Sequence, residues 1–163
     1  VKGKSMTTQP IQYIQYNSPF RNNTADIQHP THKRNYHIFD NQKVDSFVKQ
    51  KENALPYLSE ILKHSQNENQ IIETLYILDR MIDNKIKGID KLYPVLSRFN
   101  NTQSPNIQTF LAGIYRKIQV PDAFGPLVNM LIQNSINPKT SFFDPNEEIG
   151  GAILSYISDR FRN

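Results

Sequence analysis

Apolar and polar positions follow two different rules along this chain. Residues 6–37, MTTQPIQYIQYNSPFRNNTADIQHPTHKRNYH, hold prolines at 10, 19 and 30 and many Gln, Asn and Thr, with no sustained period of 3.6. From Asp40 onward apolar residues recur every three or four positions, the spacing of one face of a helix. The pattern predicts helices near 41–51, 54–65, 69–83, 90–100, 105–119, 123–134 and 145–161, and so an all-α domain over 40–163 behind an irregular leader, 1–39.

Start signals support these helices. Ser104-Pro105 places a capping hydroxyl before a proline at the first helical position, where no N–H is needed. Asp144-Pro145 does the same, and Glu147 stands where a capping box wants a carboxylate. Three other prolines sit inside apolar helical runs: ALPYLSEIL, LYPVLSRF and FGPLVNML. With Asn53, Asp90 and Asp122 as expected N-caps, Pro56, Pro94 and Pro126 fall in the first turn, where a missing N–H costs little. Their similar depth suggests one unit used three times.

A second register supports the repeat. Ile71, Leu75, Leu78 and Ile82 share offsets 0, 4, 7 and 11 with Ile107, Leu111, Ile114 and Ile118, and with Gly150, Leu154, Ile157 and Phe161. Each is read as an apolar stripe facing the core. Leu58 and Ile61, Leu96 and Phe99, and Val128 and Leu131 keep fixed distances from their prolines. Proline to proline the period is 38 and then 32 residues, the range of stacked helical hairpins. Val44, Phe47 and Val48 would let the first helix cap the row.

LPYLSEIL with NQIIETLYILDRMI, YPVLSRF with SPNIQTFLAGIYRKI, and GPLVNMLI with DPNEEIGGAILSYI resemble the paired helices of HEAT-like and armadillo-like repeats. The resemblance spans about residues 41–163. It implies a short right-handed α-solenoid of about three helical hairpins plus a capping helix. Gln108 and Gly151 stand roughly where the family carries an arginine, a departure from its Asp–Arg ladder. The resemblance further implies a concave face lined by the second helices. Tyr76, Arg80, Tyr115, Arg116, Tyr156 and Arg160 are the partner-binding candidates there, because Tyr and Arg favour interface hot spots.

Composition narrows the chemistry. With no Cys there are no disulfides, Cys-ligated zinc or thiol nucleophiles. No apolar run reaches membrane-spanning length, the first residues lack a secretory pattern, and a cytoplasmic location is expected. Net charge is +4, but the leader and Asp40 hold five cations against two anions, and 41–163 hold 14 against 13. That is a weak footprint for nucleic acid. His29, His32 and His37 lack carboxylates at helical spacing and read as solvated, so no metal or cofactor is expected. The leader reads either as a flexible tail or as an arm docking Ile11, Tyr13, Ile14, Tyr16 and Phe20 on a helical groove.

The connection 134–144, NSINPKTSFFD, is longer than its counterparts, and Phe142 and Phe143 make it a candidate partner anchor. No phosphate loop, nucleophile elbow or HExxH is present. The expected function is a non-catalytic protein-interaction or scaffold module that binds a peptide or partner surface. The alternative is a nucleic-acid-binding protein using the leader with Lys85, Lys87, Lys91, Arg98 and Lys117. An enzyme comes third.

Overall fold

The computed structural model describes residues 39–138 and 144–162, with side chains through Ser158. Ile11, Tyr13, Ile14, Tyr16 and Phe20 of the leader, the three tail histidines, Phe142, Phe143 and the side chains of Arg160 and Phe161 lie outside the described residues. All regular structure among the described residues is helical. No helix among them is long and apolar enough to cross a membrane.

Helix α1 is Asn41–Gln50, and the Asp40 carboxylate starts it by accepting from the N–H groups of Gln42 and Lys43. Then come α2 (Leu55–His64), α3 (Glu68–Asp83), a four-residue α4 (Tyr93–Leu96), α5 (Pro105–Ile118), α6 (Phe124–Ile136) and α7 (Pro145–Arg162). The second helices α5 and α7 begin at their predicted caps, and α3 at a cap that the sequence pattern did not single out. Asn67 caps α3 by accepting from Gln70 N–H, and the Ser104 hydroxyl caps α5 by accepting from Ile107 N–H. Asp144 opens α7 by accepting from Asn146 N–H.

The proline-bearing helices start differently from expectation. Asn53, Asp90 and Asp122 are not their N-caps. A 3-10 turn leads into each of these helices instead, at Lys51–Ala54, Ile89–Leu92 and Pro121–Ala123. Each turn passes directly into the α-helix without a side-chain cap. Pro56 and Pro94 are then second in their helices and Pro126 third. An N–H in the first turn has no partner within its α-helix, so none of the three prolines removes a bond of that helix. The recurring element is therefore a 3-10 turn followed by a proline. In the middle unit the predicted 90–100 helix is broken, with α4 flanked by 3-10 turns on both sides.

Packing follows chain order. α3 lies against α5 and α5 against α7, while α2 packs on α3 and α6 on α7. α1 covers α3 at the front of the row, where Val44 and Phe47 are buried. Ile71, Leu75 and Leu78 on α3 and Ile107, Leu111 and Ile114 on α5 form the core stripe, with Leu58, Leu62, Leu96 and Leu127 from the proline helices. Each such side chain removed from water contributes roughly 1.5–3 kcal/mol against its ordering cost.

In α7 the stripe must be corrected. Leu154 is 66% exposed and Ile157 37%, while Ile149, Ala152 and Tyr156 are buried with Ile153 packed beside them. One residue along a helix turns the side chain by about 100°. Reading the stripe one place too late put Leu154 in the core. Glu148, Gly151 and Ser155 adjoin Arg116 and Gln119 of α5, so Gly150, Leu154 and Ile157 turn away from that neighbour.

Polar groups stitch the last units together. Gln108 exchanges amide hydrogen bonds with Asn134, whose Nδ2 also donates to Asn146 Oδ1 at 3.0 Å. Amides on α5, α6 and α7 thus cross-link the three helices without charge.

Candidate interaction face

On α5 the core takes Ile107, Leu111 and Ile114, and Gln108, Ala112 and Tyr115 are also buried. Phe110, Gly113, Arg116 and Lys117 remain on the outer side of the second helices. The same reasoning leaves Tyr76, Asp79, Arg80 and Asp83 on the outer side of α3.

An aromatic cluster lies across the seam between the two helices. Phe39, just before α1, stacks on Tyr76 with ring centroids 4.2 Å apart and an interplanar angle of 11°. Phe110 meets both rings edge-on, at 6.2 Å from Phe39 and 6.3 Å from Tyr76. Such pairs are worth about 0.5–1.5 kcal/mol beyond their buried area. The segment leading into α1 thus already seats an aromatic ring on this face.

Charges surround the cluster, and most are matched. Lys117 Nζ donates to Asp79 and Asp83, each at 2.8 Å, joining α5 to α3. Burial works against the Lys117 ammonium, but the two carboxylates prevail and raise its pKa. Arg80 reaches Asp45 at 3.5 Å, and its hydrogen bond with Tyr76 holds its pKa up. Arg116 reaches Glu148 at 3.4 Å across the seam to α7. These are exposed pairs of small individual worth, but they fix the relative register of neighbouring helices.

The six predicted residues separate. Tyr76, Arg80 and Arg116 lie on the outer face. Tyr115 does not, being fully buried, with its hydroxyl donating to Asn100 Oδ1 at 2.6 Å and its ring against Tyr93. Tyr156 is also turned inward, and its hydroxyl donates to the carbonyls of Tyr115 (3.1 Å) and Val120 (2.7 Å). Burial pushes both phenols up, Tyr156 to about 12. Neither is available to a partner; each fastens one helix to the next. Both had been expected on the concave face because Tyr favours interface hot spots, whereas they fall on the seam between helices.

Phe39, Phe110 and Asp83 had no signal assigned to them in the sequence. A signal existed for Phe110: Tyr76 follows the stripe residue Leu75, and Phe110 precedes the stripe residue Leu111, so the two rings face each other when the helices pack in order.

Of the cations considered for nucleic acid, Lys117 is clamped as described. Arg98 donates to the Leu62 carbonyl at 2.8 Å with its guanidinium over the Phe99 ring. Lys85, Lys87 and Lys91 stay exposed in one connection.

The strongest carboxylate perturbation lies under the face, in packing. Lys43 on α1 donates to Glu73 on α3 at 2.7 Å, with side chains 6% and 1% exposed. Burial raises the Glu73 carboxyl to about 7 despite the ammonium beside it, and burial lowers the Lys43 pKa. Glu73 Oε2 has no hydrogen-bond partner among the described residues. No protein-family model, no curated protein and no solved structure matches the chain.

Proposed function

We propose that the chain is a non-catalytic protein-interaction module, built as a short right-handed α-solenoid of the HEAT-like or armadillo-like kind, and that its partner lies on the outer face of α3, α5 and α7. The carrying observation is the seat made by Tyr76 and Phe110, where Phe39 stacks across two successive second helices. A face that accepts one aromatic from an approaching segment has the chemistry to accept another. Aromatic and arginine side chains supply most of the binding energy at protein interfaces. Matched ion pairs around the seat leave little free positive potential for a phosphate backbone, which favours a protein over nucleic acid on this face.

The test is capture by the immobilised full chain after nuclease treatment, with Tyr76→Ala and Arg116→Glu run beside the wild type. The expected result is a protein retained by the wild type and depleted about tenfold or more by either substitution. Retention of the same proteins by all three, or of nucleic acid alone when nuclease is omitted, overturns the reading.

A further inference from the structure

A second site lies where the connection after α3 folds back under the ends of two helices. Ile82 at the end of α3, Ile118 at the end of α5, and Ile86 and Ile89 line an open pocket of about 430 Å³. That is within the usual span of ligand clefts, about 300–1,000 Å³. Lys87, Gly88, Asp90 and Lys91 complete its lining. Lys85 is exposed in the same connection, so three ammonium groups face one carboxylate over seven residues.

These lysines have no structural task that the helix ends require. Asn84 N–H closes on the carbonyls of Arg80 and Met81, Lys85 N–H on Ile82, and Ile86 N–H on Met81. The α5 end is closed by Gln119, whose N–H donates to the Tyr115 carbonyl and whose side chain donates to Arg116. Nor do the three form an ion pair among the described residues, whereas Lys43, Lys63 and Lys117 do. Lys85 even holds a left-handed φ of 64°, and Gly88 a φ of 99°, so the loop has a fixed, partly strained path. A glycine is the usual residue where Lys85 stands.

We infer that this pocket binds a short acidic peptide of a partner protein, with one aliphatic or aromatic side chain on the isoleucines and flanking carboxylates on Lys87 and Lys91. Charge decides among occupants. The chain's own leader is net positive, and a second copy carries the same +4, so both are repelled by the rim. Nucleic acid would pair with the lysines but offers no apolar side chain for an isoleucine floor, and no aromatic lines the pocket for base stacking. The inference is independent of the outer face, because it uses none of Tyr76, Phe110 or Arg116.

The experiment is fluorescence anisotropy on the full chain with a labelled decapeptide bearing one central leucine between glutamates. Three controls accompany it: the same peptide with lysine flanks, the same with alanine for leucine, and a duplex oligonucleotide. The expected result is saturable binding of the acidic leucine peptide, weakened about tenfold by K87E/K91E and by the alanine peptide, and unchanged by Tyr76→Ala. An unaltered melting temperature of K87E/K91E shows that the loss is local. The inference is overturned if the lysine-flanked or alanine peptide binds as well, if K87E/K91E leaves the affinity unchanged, or if the duplex binds more tightly than the peptide. Failure here leaves the outer-face reading standing, since that depends on other residues.

Discussion

The two ends of the helical row are finished by opposite means. At the front, α1 lies over α3, buries Val44 and Phe47, and brings Lys43 down onto Glu73. At the rear, α7 has α5 on one side, and Leu154 and Ile157 are exposed. All four large exposed aliphatics of the described residues belong to the last hairpin, Ile132 and Ile136 on α6 together with those two. The front is closed at an electrostatic cost; the rear leaves apolar surface in contact with water.

The largest effect is expected at the front, where charge is buried. Lys43→Met leaves the Glu73 carboxylate buried without its cation, and Glu73 already has one oxygen unsatisfied. Urea denaturation at pH 8 should show a loss of about 3–5 kcal/mol. The double variant K43M/E73L replaces the pair by apolar groups and should recover most or all of that loss. If the single change costs less than about 1 kcal/mol, the pair is solvated as a surface salt bridge would be, and α1 does not close the row as described.

A smaller contrast runs along the stripe. Leu111→Ala on α5 should cost about 2–5 kcal/mol, because the side chain is wholly buried between neighbours. Leu154→Ala, identical in chemistry and at the matching place in the sequence repeat, should stay within about 0.5 kcal/mol. Equal losses by urea denaturation would mean that Leu154 is covered in solution, and the rear end would then be closed by something other than α5.

This contrast also shows what the sequence could and could not reveal. The caps at Ser104 and Asp144 and the stripes of α3 and α5 were legible because they depend on residues three or four apart in one segment. In α7 two sets compete one residue apart, Gly150, Leu154 and Ile157 against Ile149, Ile153 and Tyr156, and only the presence of a neighbour selects between them. Asn53, Asp90 and Asp122 looked like caps because a 3-10 turn and a capped α start carry similar residues. Of the candidate face, Tyr76, Arg80 and Arg116 were readable from periodicity, whereas Tyr115 and Tyr156 were assigned to the wrong side. The Lys43–Glu73 contact joins residues thirty apart, and no local pattern distinguishes them from solvated charges. Phe39 on Tyr76 was hidden for the same reason.

The last test separates the ends by pH. Glu73 is raised by burial, with Asp40 adding to the rise, from an ordinary value of 4.5 to about 7, and Lys43 only partly offsets this. A raised carboxyl pKa means that the folded state holds its proton more tightly than the unfolded state does. The contribution is therefore fully present below about pH 4.5 and is lost as the pH climbs through 7. It amounts to at most about 3.5 kcal/mol, at about 1.4 kcal/mol per pKa unit. Other carboxylates titrate in the acid part of this range, so the quantity to follow is the difference in stability between wild type and K43M/E73L. Relative to the double variant, the wild type should lose stability steadily between pH 5 and 7.5, whereas Leu154→Ala should follow the wild-type profile throughout. A difference that stays flat across the window would mean that Glu73 titrates alike folded and unfolded, so that Lys43 offsets the whole cost of its burial and the front end is closed without an electrostatic cost.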